Sequence, residues 1–209
     1  MKIHVAPIAP NPRRVLWVMA EKEISDIEVE TYNLGEGRHK QVGYLQKAGL
    51  PVLPMLELDD GTAITESLAI CRYLESRWPE PNLFGTTPEE TAVIEMWTRR
   101  AEMNVAIPLM VGVRHTFPPL AALEKQDPLI GAFNLETGTE GLKILDRQLG
   151  RTEWLAGDRF SIADIVAFIG LDFARLVKVR PAETHKHLIR WIEVMRARPA
   201  ATTSARQPA

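Results

Sequence analysis

The stretch that most constrains this chain runs Leu50-Pro51-Val52-Leu53-Pro54-Met55-Leu56-Glu57-Leu58-Asp59-Asp60-Gly61 and continues through Thr65-Glu66-Ser67-Leu68-Ala69-Ile70. Proline lacks a backbone N–H, so Pro54, just before a short run of alternating apolar residues, suits the start of a strand, and Asp60-Gly61 is a two-residue hairpin signal. Leu68, Ala69, Tyr73 and Leu74 then recur at helical spacing. Thr65 is an acceptable cap for that helix, and the acidic Glu66 suits its positive end. A cis Leu53–Pro54 bond, an isomer cheap only before proline, would turn the N–H and C=O of Leu53 outward, where an extended peptide can pair by strand addition. The N–H groups at the start of the next helix point at an anion. A carboxylate could rest on the Glu66 and Ser67 N–H groups and the Ser67 hydroxyl, while the Glu66 side chain could hold an ammonium. The plainer alternative is that Thr-Glu-Ser only caps a helix.

Composition narrows the function classes. The chain has 209 residues, enough for one large domain or two small ones, and its net charge of −2 supplies no basic stripe to track phosphates. No nucleic-acid or membrane partner is implied. The first residues lack an uninterrupted apolar export core, and no stretch reaches the roughly 20 apolar residues of a spanning helix, so a cytoplasmic location is expected. A single cysteine, Cys71, rules out an internal disulfide and any Cys-rich metal site, and no metal is called for. Beside Ile70 and Leu74, Cys71 reads as a buried core thiol.

In chain order, Ile3 to Val5 reads as a first strand. A helix follows, with Asn11 as cap, Pro12 at its first position, and Val15, Leu16, Val18 and Met19 as its buried stripe. Ile27 to Thr31 reads as a second strand parallel to the first, and His39 to Lys47 as a weakly patterned helix. Trp78 to Gly85 breaks the pattern as a linker. Beyond it the chain is helical: Pro88 to about Thr116, kinked at Pro108, then 133–149, 161–176 and 183–196. The small, polar segment 200–209 is expected to be a loose tail.

Trp154-Leu155-Ala156-Gly157-Asp158-Arg159-Phe160-Ser161-Ile162-Ala163-Asp164-Ile165 carries a folding signal. Ser161 caps a helix, Asp164 answers from the third helical position, and Phe160 with Ile165 can form a hydrophobic staple. This motif, taken with the proline–hairpin–Glu-Ser arrangement, resembles the cytosolic glutathione S-transferases over nearly the whole chain. The resemblance implies an α/β thioredoxin-like N-terminal domain (1–78) that binds glutathione, a linker (79–87) and an all-α C-terminal domain (88–199). It also implies glutathione as cosubstrate, detoxification as the setting and a homodimer as the assembly.

Site residues carried over from the resemblance follow the matching positions. Leu53 and Pro54 would pair with the glutathione backbone, Glu66 and Ser67 with its γ-glutamyl end, and His39 and Lys40, as cations, with its glycyl carboxylate. His39 and Lys40 read equally as solvated surface charge. Members of the family usually place a Ser, Cys or Tyr beside the sulfur, but Ala9 stands where Ser is common. Ala48-Gly49 and Pro51 depart from the usual Asn-Pro and Gly as well. Two substitutes remain for the catalytic role. Asn11 could donate its amide to the thiolate, aided by the helix dipole, or act as a plain cap. His115, on the helix that in the family faces the substrate, could hold an activating water, or be a surface histidine. Ile8, Ile107, Met110, Val111 and Phe117 are expected as apolar walls for the second substrate, with Arg114 beside them.

The resulting expectation is a glutathione-dependent transferase that activates the thiol for attack on a small apolar electrophile. The alternative is a non-catalytic glutathione-binding or protein-interaction module of the same fold, favoured by Ala9. A thioredoxin-type disulfide reductase fails for want of a cysteine near the first helix.

Overall fold

The computed structural model describes residues 1–204. It divides into two compact units, Met1–Pro81 joined by the segment that starts at Pro199, and Asn82–Arg198.

The first unit opens with β1 (Lys2–Val5), α1 (Pro10–Glu21) and β2 (Glu28–Thr31). Two 3-10 turns, Leu34–Glu36 and Arg38–Lys40, lead into α2 (Val42–Ala48), and β3 (Met55–Glu57), β4 (Ala63–Thr65) and α3 (Ser67–Arg77) complete it. The sheet order is β2-β1-β3-β4. β1 pairs parallel with β2, as a helical crossover requires, and antiparallel with β3, which pairs antiparallel with β4. This is the expected thioredoxin-like order. Ile3 and Val5 point to one face of the sheet and His4 to the other, and all three are buried. α1 packs on α3 through apolar residues that include Val15, Val18, Ile70 and Leu74, each fully buried.

Three local expectations are corrected. The first helix begins at Pro10 with Ala9 as its cap residue, so Asn11 lies inside the first turn. Several prolines compete for the entry position, and Pro10 takes it because its fixed φ suits a first helical residue. The hairpin is wider than two residues. Gly61 N–H donates to Leu58 O at 3.0 Å, Leu58 N–H to Thr62 O at 2.8 Å, and Gly61 has φ +86°, which is a type I turn closed by a glycine bulge. α3 begins at Ser67 with Glu66 at its cap position, while Thr65 ends β4.

At the far end of α1, Lys22 is buried and its ammonium is fully used: it meets Glu75 at 2.7 Å, Trp78 O at 2.7 Å and Pro81 O at 2.8 Å. A buried charge is tolerated only when paired in this way. The expected loose tail is also corrected over its first part. Pro199–Thr203 forms a short helix, α9, that packs on α1, and Ser204 is fully buried. The remaining tail positions, 205–209, lie outside the described residues.

The second unit is helical: α4 (Pro88–Ala101), a π-helical turn (Glu102–Ala106), α5 (Ile107–Thr116), α6 (Pro128–Leu149), α7 (Ile162–Ala174) and α8 (Lys186–Ala197). The irregularity expected at Pro108 is taken up just before it. Pro108 has no N–H for the Asn104 carbonyl, and the chain widens so that Ile107 N–H reaches back five residues to Glu102 O. α6 crosses α5 at close range on a glycine stripe. A Cβ at Gly138 would lie 2.7 Å from Leu109, and one at Gly141 would lie 2.2 Å from the Asn104 carbonyl oxygen. No helix among the described residues is long and apolar enough to cross a membrane.

Candidate active site

The start of α3 is the most unusual backbone in the first unit. Glu66 has φ +68° and ψ 116°, a region that non-glycine residues avoid, and such conformations cost of order 1–3 kcal/mol. The next residue, Ser67, is buried, and its hydroxyl oxygen accepts from Arg14 Nη1 at 3.3 Å. Arg14 comes from α1 and is itself only 2% exposed, so a guanidinium stands behind the serine. With its oxygen accepting from Arg14, the Ser67 hydroxyl keeps its proton for an outside acceptor. Glu66 is exposed and its carboxylate faces solvent. No side chain caps α3.

α1 opens in the same way. Ala9 offers no side-chain cap, Pro10 and Pro12 have no N–H, and Arg13 N–H is already given to Ala9 O at 3.2 Å, so the backbone donor left at this helix start is that of Asn11. The Asn11 side chain makes no hydrogen bond among the described residues, and its Oδ1 is buried. This amide has a donor to spend. Ile8, in the loop before it, is 70% exposed.

Leu53–Pro54 is a cis peptide bond, and it sits just before β3. Leu53 packs against the buried cluster of Tyr32, Tyr44 and Met55. In the Arg38–Lys40 turn, His39 is buried and Lys40 exposed. Burial, and then the neighbouring Lys40 charge, holds the His39 pKa below its ordinary value, so the ring is neutral at pH 7. The cationic part expected of the pair therefore falls to Lys40 alone, and His39 can act only as a neutral donor or acceptor.

The remaining candidates belong to the second unit. His115 lies near the end of α5, and its Nδ1 accepts from Asp127 N–H at 3.0 Å, which leaves the ring proton on Nε2. Arg114 is ion-paired with Glu124. Ile107 is exposed, Val111 and Phe117 are half-buried, and Met110 is buried. The segment after α5 is tied down by Gln126, whose amide donates to Arg114 O at 2.9 Å and Phe117 O at 2.7 Å.

Cys71 is fully buried, as the core reading expects, and burial pushes its thiol up to about 12. Arg14 is the residue that sequence reasoning missed. Its partner Ser67 lies 53 positions away, and the only local signal was an Arg-Arg pair set among the apolar positions of α1.

Comparison with known proteins shows the family and the fold. Residues 8–77 match the glutathione S-transferase N-terminal domain and residues 132–199 the C-terminal domain. The chain is 36% identical over 203 residues to Glutathione S-transferase 2 of Saccharomyces cerevisiae, covering 96% of this chain and 87% of the relative. Among solved structures, Gtt2 from Saccharomyces cerevisiae superposes with a TM-score of 0.90 at 36% identity, covering 98% of this chain and all of that one. A Gtt2-class glutathione S-transferase of Vibrio parahaemolyticus superposes with a TM-score of 0.84 at 31% identity, covering 98% of this chain and 97% of that one. The chain belongs to the glutathione S-transferase family.

Proposed function

We propose that this chain is a glutathione-dependent transferase that holds glutathione as its thiolate and delivers it to a small apolar electrophile. The observation that carries this reading is the pair of uncapped helix starts in one unit, α1 and α3, with Ser67 backed by Arg14. Uncapped N–H groups and a buried guanidinium favour an anion. The γ-glutamyl carboxylate of glutathione would accept from the Ser67 N–H and hydroxyl, and its ammonium would meet the Glu66 carboxylate. The peptide would pair with Leu53 beside Pro54, and Lys40, with a neutral His39, would receive the glycyl carboxylate.

The sulfur needs its own stabilisation. Lowering a thiol pKa from about 8.5 to about 6.5 takes roughly 2.7 kcal/mol of preferential interaction with the thiolate. At the position Ala9 occupies no hydroxyl is present, so the work falls to the Asn11 amide and the start of α1. His115 is the second route, with Nε2–H as the group that would orient a water. Asn11→Ala and His115→Ala separate the two: the variant that raises the bound thiol pKa identifies the stabilising group. The candidates for contact with the electrophile are Ile8 in the first unit and, taken separately in the second, Ile107, Val111, Met110 and Phe117 with the charge of Arg114.

Homodimerisation, a cytoplasmic location and a part in detoxification belong to the same reading. Sedimentation that showed a monomer at micromolar concentration would remove the first. The binding claim is tested by calorimetric titration with glutathione. Saturable binding that Ser67→Ala weakens supports the site as drawn, and binding indifferent to Ser67 refutes it. Ala9 favours one second reading, a glutathione-binding module without catalysis, which binding without a thiol pKa shift would establish.

A further inference from the structure

On the opposite face of the sheet from α1 and α3, a buried histidine sits at the centre of a polar network that the mechanism above does not use. His4, in the middle of β1, is 5% exposed. Its Nε2 lies 3.3 Å from Glu57 Oε2 on β3, and its Nδ1 lies 3.0 Å from Tyr32 Oη at the end of β2 and 3.5 Å from Glu30 Oε2. In the neutral ring Nε2–H donates to Glu57 and Tyr32 O–H can donate to Nδ1, while Glu30 is served by Arg38 and Lys2. Burial holds the His4 pKa below its usual value against the pull of Glu57 and Glu30, consistent with that neutral form.

Two arms run from this centre to segments that would grip glutathione. In the first, Glu30 pairs with Arg38 at 2.6 Å, and the Arg38 guanidinium lies 4.6 Å from the centre of the Tyr32 ring. Arg38 is the residue before His39 and Lys40. In the second, the His4 ring meets the Tyr44 ring edge-on at 6.0 Å, and Tyr44 Oη donates to Val52 O at 2.5 Å. Val52 precedes Leu53, and Leu53 packs on the Tyr32–Tyr44–Met55 cluster. Lys47 of α2 closes the far side through Glu57 at 2.7 Å, and Lys2 of β1 meets Glu30 at 3.6 Å. The centre of this network, His4 with Tyr32 and Tyr44, is buried, while the Glu30–Arg38 and Glu57–Lys47 pairs that extend it reach the surface. A buried, hydrogen-bonded centre of this kind fixes the positions of the elements it joins.

We propose that His4 is a positioning residue that holds the Arg38–Lys40 turn and the Val52–Leu53 segment in register for glutathione. The inference rests on the glutathione reading of the site. It assigns His4 no contact with the reacting atoms.

The experiment measures glutathione affinity, KM for glutathione, kcat and melting temperature for the full-length protein and for His4→Phe and His4→Gln. Phe keeps a ring against Tyr44 but makes neither hydrogen bond, whereas Gln retains a donor and an acceptor. His4→Phe is expected to weaken glutathione binding about tenfold and raise KM in step, with kcat changed less than twofold, and His4→Gln is expected to recover most of the loss. A general loss of packing would not be rescued by Gln and would not separate KM from kcat. Tyr44→Phe, which deletes one hydroxyl, tests the second arm if His4→Phe folds poorly, and a loss of about fivefold is expected. Glutathione affinity unchanged in His4→Phe, or in Tyr44→Phe where that variant decides, overturns this inference while leaving the site intact. Absence of glutathione binding by the unsubstituted protein overturns the site reading and this inference with it.

Discussion

The helix starts of the two units are built on opposite plans. In the second unit each long helix that starts afresh has its first N–H groups served from within. Thr87 accepts from Glu90 N–H in α4, Asp127 accepts from Leu129 and Ile130 N–H in α6, and Asp146 reaches across to Leu188 N–H in α8. At α7, Asp164 accepts from Ser161 N–H and Oγ–H, from Leu155 N–H and from Trp191 Nε1–H. In the first unit α1 and α3 have no side-chain cap, Glu66 sits at positive φ, and the Asn11 amide is unbonded. Satisfied starts hold a fold together, while spare donors beside a buried guanidinium are capacity left for a ligand.

The contrast can be broken most forcefully at Asp164. Asp164→Ala strands four donors in the interior, and a loss of roughly 3–5 kcal/mol of stability is expected, read from urea unfolding. A loss below 1 kcal/mol would mean that the α7 start is not the fold's anchor. The same residue gives a pH signature. Burial raises its pKa to about 6 from 3.8, against the opposing hydrogen bonds, so the folded chain keeps a proton that the unfolded chain has already released. The contribution is therefore present in full below pH 3.8 and is lost as pH rises through about 6. At about 1.4 kcal/mol per unit it amounts to roughly 3 kcal/mol. Stability measured from pH 4 to 7 should fall more steeply with rising pH in the native chain than in Asp164→Asn, and parallel curves would reject the assignment.

The first unit should answer differently. Ser67→Ala is expected to weaken glutathione binding by roughly 1.5–3 kcal/mol, the usual worth of a hydrogen bond to a charged group, with a much smaller change in melting temperature. A variant that loses stability but not affinity would make Ser67 a structural residue like Ser161. The smallest effect sharpens the comparison from the other side. Ala9→Ser adds a cap to α1, and because Pro12 has no N–H the new hydroxyl must serve Asn11 N–H. A gain of about 0.5–1 kcal/mol in stability is expected by urea titration, and no gain would mean that the α1 start is not short of a cap.

What could be read from the sequence was what neighbours in the chain decide. The Ser161–Asp164 cap, the strand opened by Pro54 and the disruption near Pro108 depend on residues a few positions apart, and each is present. The exact starts of α1 and α3 were displaced by one or two positions, because proline-rich and Thr-Glu-Ser stretches offer several equivalent entry points. Arg14 behind Ser67 and the His4 network were illegible, since their partners are brought together only by the pairing of β1 with β2 and β3 and the packing of α1 on α3. His39 was read as a surface group from its residue type, whereas its burial in the Arg38–Lys40 turn is set by the tertiary fold.

The most direct test is an ultraviolet titration of glutathione bound to the protein, following thiolate absorbance against pH. The expected result is a bound thiol that ionises about two pH units below the usual value of about 8.5, held there by the start of α1. A bound thiol that ionises at the value of free glutathione would contradict the account and leave this fold a binding module.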